Sequence, residues 1–188
     1  MDLTLFRLIN GLAGQSPAMD ELFRFFANDY VVPTFLVAFL VVGWFSGKPA
    51  WRQIVLHALL ALLVANAMVK VCNLIWFRPR PFTYHDVNML FYYPSDSSFP
   101  SNSAAVVWSL AGVMWLALPK TSRFGYLALF LAAIMGWSRV WVGVHYPLDI
   151  VGGAFAGLLA AWWVKRYEKR LYPAVRGLEW VAKKMALA

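Results

Sequence analysis

The stretch QIVLHALLALLVANAMVKVCNLI, residues 53–75, decides the fold class of this chain. It runs for more than 20 residues and contains one charged side chain, Lys70. A helix that crosses the hydrocarbon core of a bilayer needs about 20 mostly apolar residues. The stretch is therefore predicted to form a membrane-spanning helix.

Four further apolar stretches flank this one, at about residues 30–45, 103–118, 124–137 and 147–164. The stretch at 124–137 is short, and its apolar character continues to Trp141. Each is nearly free of charge, whereas the gaps carry proline, glycine, lysine and arginine. We therefore predict an all-α, polytopic transmembrane helical bundle of five spans, with a membrane-embedded core over residues 30–164.

The overall composition agrees with a membrane protein. Of 188 residues, 61% are hydrophobic and 14% are charged, against about 25% charged in a soluble domain. This excludes a soluble globule and a disordered chain, and the single Cys72 cannot form an internal disulfide. A net charge of +8 suggests nucleic acid in a soluble protein. In a membrane protein the same charge reports topology or an anionic substrate, and we expect no nucleic-acid partner.

The N-terminal segment, residues 1–29, differs from the core because charged residues interrupt it often. Apolar residues recur at helical spacing in two pieces, one before and one after the break at residues 14–17. This pattern predicts two amphipathic helices lying in the membrane interface. A sixth, short span over the same residues is the alternative. The pieces contain Leu5, Leu8, Ile9 and Leu12, and then Leu22, Phe23 and Phe26.

The C-terminal tail, residues 165–188, carries seven lysines and arginines. Its apolar residues again fall at helical spacing, which predicts a basic amphipathic helix on an anionic leaflet. These apolar residues are Leu171, Val175, Leu178 and Val181 or Ala182.

Basic residues also predict the orientation. With five spans, the loops at 46–52 and 119–123 share one side with the tail, and together they hold eleven lysines and arginines. The opposite side holds five. Because the basic side is normally cytoplasmic, we predict a cytoplasmic C-terminus and outward-facing loops at 76–102 and 138–146.

These two outward loops hold most of the polar residues that could bind or react with a substrate. Arg78, Arg80 and Arg139 offer planar guanidinium groups that match phosphate oxygens. Residues 101–103 open a predicted helix, whose free N–H groups attract anions. Taken singly, each feature has an ordinary alternative. Ser101 is also a typical helix cap, and an arginine at a membrane end is often an interfacial anchor.

His145 and Asp149 form the second polar feature, four residues apart. On a helix they share one face, where the carboxylate would hold the imidazole in one tautomer. This pattern predicts a histidine acting as nucleophile or base, and a structural histidine at a span boundary is the alternative. Three histidines, one cysteine and few loop carboxylates do not form a metal-ligand pattern, so we predict no metal or other cofactor.

Together, these motifs resemble the type 2 phosphatidic acid phosphatase superfamily. Its pattern is a Lys and Arg-Pro element, then Pro-Ser-x-His, then Ser-Arg-x5-His-x3-Asp. The similarity is strongest to the bacitracin-resistance type of bacterial undecaprenyl diphosphatase, and chain length and span layout agree with that branch. The matching segments are RPRPF at 78–82, SFPSNS at 98–103 and SRVWVGVHYPLD at 138–149.

The resemblance implies a role for each matching residue. His145 would attack the terminal phosphorus and form a phosphohistidine, with Asp149 orienting it. Arg80 and Arg139 would hold the phosphate oxygens. Ser101, Asn102 and the backbone N–H groups of 101–103 would assist them, with Arg78 as a further candidate. The family needs no metal.

Two positions depart from the family pattern. The family lysine is replaced by Asn73, and Lys70 lies one helical turn earlier. Ser103 stands where the family has the histidine that protonates the leaving group. A serine is a poor general acid, but a lipid diphosphate expels a phosphate monoester, whose charge an arginine can stabilise. Ser103 therefore favours a diphosphate substrate.

The sequence thus predicts an undecaprenyl-diphosphate phosphatase in the bacterial plasma membrane, with its active site on the extracytoplasmic side. It would recycle the carrier lipid of cell-wall synthesis and confer bacitracin resistance. Its expected partners are a polyprenyl diphosphate lipid and the surrounding membrane lipids. The alternatives are a broader phosphatase for phosphatidic acid or phosphatidylglycerol phosphate, and a non-catalytic lipid-phosphate binder.

Overall fold

A computed structural model describes residues 1–46 and 48–184 of the chain. Over these residues, all regular secondary structure is helical, which confirms the predicted all-α class. The helices are α1 (Asp2–Asn10), α2 (Pro17–Ala27), α3 (Val31–Phe45), α4 (Pro49–Ile75), α5 (Pro81–Tyr84), α6 (Asn102–Ala117), α7 (Arg123–Trp141), α8 (Pro147–Arg166) and α9 (Glu168–Lys184).

Each predicted span coincides with one helix: α3, α4, α6, α7 or α8. Among the described residues, α4, α7 and α8 are each long and apolar enough to cross a membrane. Helices α2 and α3 meet this condition together, with a bend of 51° between them, and α6 is a shorter apolar helix. Three or four helices thus qualify as spans, and the count of five or six stays a prediction.

Helix α6 lies at the centre of the bundle and packs against α4, α7 and α8. Its contact with α8 is close because Gly157 faces it. A Cβ at Gly157 would lie 2.6 Å from the Ala105 carbonyl oxygen and 2.7 Å from the Ser109 nitrogen. Gly153 likewise faces the Ser101 carbonyl. Small residues on α8 therefore allow the two helices to pack closely.

The close packing of α6 against α8 also brings the two motif loops together. The Ser101 N–H, at the start of α6, donates to the Asp149 carbonyl in the first turn of α8 at 3.0 Å. Between α7 and α8 the chain turns at Gly143, whose φ of +90° favours glycine. This turn places His145 beneath the start of α6.

The N-terminal helices pack against the two motif loops and α7. The buried Asn10 side chain of α1 donates to the carbonyls of Asn88 at 2.9 Å and Trp141 at 2.8 Å. Helix α2 packs against α7. The two predicted N-terminal helices are thus present, while their position in the membrane interface stays a prediction.

Helix α9 follows α8 and contacts α4. Residues 185–188, which belong to the predicted tail, lie outside the described part of the chain. The same holds for the side chains of Val175, Leu178, Val181 and Ala182, which carry most of the predicted apolar face.

Candidate active site

His145 lies at the centre of a cluster of polar side chains and is only 1% exposed. Its Nε2 atom lies 3.2 Å from the Ser101 hydroxyl and 3.3 Å from Nη1 of Arg80. On the other side of the ring, Nδ1 lies 3.4 Å from the Ser98 hydroxyl and 3.6 Å from Oδ2 of Asp149. The two nitrogens therefore face different groups.

These contacts determine the tautomer of His145. A guanidinium group only donates hydrogen bonds, so Nε2 must accept from Arg80 and carries no proton. The proton of the neutral ring then resides on Nδ1, towards Asp149. Burial, together with the charges of Arg139 and Arg80, lowers the pKa of His145 to about 4, against the opposing effect of Asp149. The ring is neutral at pH 7 and presents a lone pair at Nε2.

Asp149 is fully buried and satisfied by several donors. Its Oδ2 accepts from the Ser98 hydroxyl at 2.5 Å and from the Tyr146 N–H at 2.8 Å. Its Oδ1 pairs with Nη1 of Arg78 at 2.6 Å. All of these partners donate to the carboxylate oxygens, so Asp149 is held in one position behind the imidazole.

Arg80 is 5% exposed and is anchored from the loop that precedes α6. Its Nε donates to the Asp96 carbonyl at 3.1 Å, and its Nη2 pairs with Oδ1 of Asp96 at 2.7 Å. Its Nη1 donates to the Val144 carbonyl at 3.0 Å. The guanidinium is thereby held against Nε2 of His145, where an attacked phosphate would lie.

Arg139 is 2% exposed and approaches from the last turn of α7. Its Nη1 donates to the Ala27 carbonyl at 3.0 Å and pairs with Oδ1 of Asp29 at 3.1 Å. Its Nε is buried without a hydrogen-bond partner among the described residues. An unpaired buried donor is costly, and an anion such as a phosphate oxygen would satisfy it.

The start of α6 brings three predicted residues to the site in different ways. Ser101 both contacts His145 and caps the helix, since its hydroxyl accepts from the Ala104 N–H at 3.4 Å. Ser103 donates to Oδ1 of Asp29 at 2.5 Å. Asn102 is exposed. The Ser101 N–H already donates to Asp149, so it is not the free donor that was expected, whereas first-turn amides such as those of Asn102 and Ser103 have no intrahelical partner.

Three candidates for phosphate contacts lie elsewhere. Arg78 faces two carboxylates, since its Nη1 pairs with Asp149 and its Nη2 pairs with Asp2 at 2.6 Å. Burial lowers the pKa of the Arg78 guanidinium, but the hydrogen bonds and negative charges of Asp2 and Asp149 outweigh it and raise the pKa. Lys70 is exposed on α4. Oδ1 of Asn73 is buried without a partner among the described residues, and no hydrogen bond or ion pair in that part of the chain links Lys70 or Asn73 to His145.

The structure adds five site residues to which the motifs assigned no role. Asp2 also accepts from the Leu148 N–H at 3.0 Å, which ties α1 to the start of α8. The others act on the motif residues through contacts across 16 to 131 residues of chain. Contacts between such distant residues leave no local pattern in the sequence. Asp29 is the exception, because a lone aspartate directly before an apolar span is a recognisable signal. These residues are Asp2, Asn10, Asp29, Asp96 and Ser98.

One cavity borders this cluster at Asp29, and an apolar groove adjoins that cavity. A cavity of about 830 Å³ lies between α2 and residues 89–92, and Asp29 and Tyr92 line it. An apolar groove of about 460 Å³ lies where α2, α3, α6 and α7 meet, with Phe35, Phe39 and Phe124 in its wall. Phe25 lines both, so the polar cavity and the apolar groove adjoin.

Comparison with known proteins agrees with the motifs. Residues 54–173 match the PAP2 superfamily. The bacitracin transport permease protein BcrC of Bacillus licheniformis is 35% identical over 87% of this chain and 79% of its own length. The undecaprenyl-diphosphatase BcrC of Bacillus subtilis is 27% identical over 93% of this chain and 88% of its own. The crystal structure of Aquifex aeolicus LpxE superposes with a TM-score of 0.73 at 29% identity, covering 88% of this chain and 94% of that one.

Proposed function

This chain belongs to the PAP2 superfamily and is a membrane lipid phosphatase, and from that premise we propose that it converts undecaprenyl diphosphate and water into undecaprenyl phosphate and phosphate. The observation that carries the proposal is the position of Nε2 of His145, which is unprotonated and lies between Arg80 and Ser101. The name of the Bacillus subtilis relative, an undecaprenyl-diphosphatase, supports the choice of lipid.

In the first step, Nε2 of His145 attacks the terminal phosphorus. The bond from that phosphorus to the bridging oxygen breaks, and undecaprenyl phosphate leaves with the electron pair. The Nδ1 proton stays on the ring, where Asp149 stabilises the positive charge that develops. The product is a phosphohistidine.

Charge on the transferring group is held by Arg80, Arg139 and Ser101. Such fixed donors stabilise the equatorial oxygens of a phosphoryl group during transfer. Nε of Arg139 is suited to this role because it is buried and unpaired. In the second step, water attacks the phosphohistidine, and phosphate leaves with His145 restored.

Ser103 favours a diphosphate over a monoester. Its hydroxyl donates to Asp29, and no histidine stands at this position to protonate a leaving alkoxide. A phosphate monoester is a far better leaving group than an alkoxide and departs without a proton. The diphosphate substrate therefore suits a site that lacks the family acid.

The two adjoining cavities support a lipid substrate. The polar cavity next to Asp29 and Tyr92 suits a hydrated headgroup, and the apolar groove suits a prenyl chain. Phe25, which lines both, marks the boundary between the two parts of the lipid. Ligand sites of this kind combine apolar walls with a few placed polar groups.

We also propose that the site faces the outside of the cell. The motif loops converge at one end of the bundle through the Ser101–Asp149 hydrogen bond. The first turns of α4 and the beginning of the tail meet elsewhere, since Gln53, His57 and Lys165 line one pocket. This grouping of the basic segments matches the predicted cytoplasmic side. A C-terminal reporter that is active only in the cytoplasm tests this orientation. An inactive reporter on a folded protein would show that the C-terminus lies outside and that the site faces the cytoplasm.

The function is tested by phosphate release from a C15 or C55 prenyl diphosphate with purified protein and a chelator present. We expect turnover by the unaltered protein and a loss on the order of 10⁴-fold in His145→Ala. His57→Ala is the matched control, because His57 lies on α4 in the pocket beside the tail. Full activity in His145→Ala would exclude it as the nucleophile, and faster hydrolysis of phosphatidic acid than of the diphosphate would contradict the substrate.

A further inference from the structure

Ser103 and Asp29 form a hydrogen-bonded pair at the edge of the site. The Ser103 hydroxyl donates to Oδ1 of Asp29 at 2.5 Å, and Nη1 of Arg139 shares that oxygen at 3.1 Å. The hydroxyl of Tyr92 donates to Oδ2 at 2.6 Å. Three donors, one of them charged, stabilise Asp29 as a carboxylate, so it can accept a proton but has none to give.

We propose that Ser103, acting with Asp29, is the base that activates water for hydrolysis of the phosphohistidine. The inference rests on the proposed function and adds the proton acceptor of its second step. Ser103 is the catalytic residue of this pair because its hydroxyl would contact the attacking water. Asp29 acts through Ser103 and is a positioning residue that also receives the proton.

The water oxygen forms a bond to phosphorus as the bond from Nε2 of His145 to phosphorus breaks, and that electron pair returns to Nε2. The water proton passes to the oxygen of Ser103, whose own proton passes to Oδ1 of Asp29. Nδ1 keeps its proton, so the neutral imidazole is restored. Asp29 then releases its proton to the water of the cavity.

The location of Asp29 suits this role. It is partly exposed, with 30% of its side chain accessible, and it lines the cavity of about 830 Å³ next to the site. Water and protons can therefore reach the pair without passing His145, which is buried. Arg139 contacts the same carboxylate and would hold the phosphate, so the base lies next to the group that water attacks.

The pair also explains how the chain works without the family histidine. An ionised carboxylate cannot protonate a leaving group in the first step, and the prenyl phosphate leaving group needs no proton. Water is a weak nucleophile, so the second step gains from a base by about 10²–10⁴-fold. The Ser103–Asp29 pair supplies help where the diphosphate reaction needs it.

A purely structural role for Asp29, holding Arg139 in place, makes a different prediction. Loss of that role would weaken phosphate binding and slow the first step. Loss of a base would leave the first step intact and would cause the phosphohistidine to accumulate. The two roles are therefore separated by which species builds up.

The test follows one turnover of farnesyl diphosphate labelled at its terminal phosphate, quenched in alkali, where phosphohistidine is stable. In Asp29→Asn and Ser103→Ala we expect a burst of farnesyl phosphate, label retained on the protein, and kcat lowered on the order of 10²-fold. Ser103→Ala leaves the Asp29–Arg139 pair in place, so it keeps the test valid if Asp29→Asn folds poorly. Ser109→Ala is the matched control, since its hydroxyl bonds to the Val106 carbonyl on the same helix.

Two outcomes would overturn the inference. One is a slow first turnover without retained label in Asp29→Asn. The other is an unchanged kcat in Ser103→Ala. Failure of the proposed function is a separate result, because the unaltered protein would then not consume the prenyl diphosphate.

Discussion

Nη1 of Arg78 lies 2.6 Å from Oδ1 of Asp149, whereas the nearest nitrogen of His145 lies 3.6 Å from the same carboxylate. The tightest charged contact of Asp149 is therefore with Arg78 and not with His145. Arg78 also stacks on the Tyr146 ring at 4.2 Å and pairs with Asp2. Through these contacts, Arg78 holds Asp149 in position behind the His145 ring.

We therefore expect Arg78→Ala to lower kcat while KM for the prenyl diphosphate changes little. A hydrogen bond to a charged group contributes about 1.5–3 kcal/mol, which corresponds to a fall of roughly ten- to a hundredfold if it is lost only in the transition state. Steady-state kinetics measure this. Arg166→Ala, which removes an exposed arginine at the last residue of α8, is the matched control. A rise in KM at constant kcat would instead place Arg78 on the phosphate.

The neutral state of His145 makes a prediction about pH. Because its pKa is lowered to about 4, the ring stays unprotonated above that pH and gains a proton only below it. The ¹⁵N resonance of Nε2 should therefore keep the shift of an unprotonated nitrogen from pH 7 down to pH 5. His145→Ala identifies the resonance. A titration near 6.5, the ordinary value for histidine, would show that burial and the two arginines do not govern this ring.

The close approach of α6 and α8 predicts a cost for any added side chain at Gly157. A Cβ there would meet backbone atoms of Ala105 and Ser109 at 2.6 and 2.7 Å. Gly157→Ala should destabilise the protein by about 1–3 kcal/mol, the usual cost of overpacking, and lower its midpoint of thermal unfolding in detergent. Gly177→Ala on α9 meets no atom within 4 Å and serves as the control. Equal midpoints for the two variants would contradict tight packing between α6 and α8.

The sequence predicts the helices well because most apolar runs are long and nearly free of charge. The runs at 53–75 and 147–164 lie within α4 and α8. The sequence also predicts the motif loops, because the motif residues keep the spacing of the family pattern. In the fold, a hydrogen bond between Ser101 and Asp149 joins the two loops. The residues that hold the motif side chains in place are harder to predict. Their placement depends on α1 and α2 returning over the loops, which brings Asp2 to Arg78 and Asp29 to Ser103 across 76 and 74 residues of chain.

The position of Ser103 leads to a prediction about substrate choice. In Ser103→His, an imidazole would stand where the family acid stands and would protonate an alkoxide leaving group. We expect hydrolysis of phosphatidic acid to rise by roughly 10²-fold, the lower end of the usual gain from a general acid. Prenyl diphosphate hydrolysis should change far less, because its leaving group needs no proton. The ratio of the two rates, measured in one detergent preparation, isolates this effect from changes in folding or lipid access. An equal gain on both substrates would show that the serine limits a step that the two reactions share, and the preference for diphosphates would then need another cause.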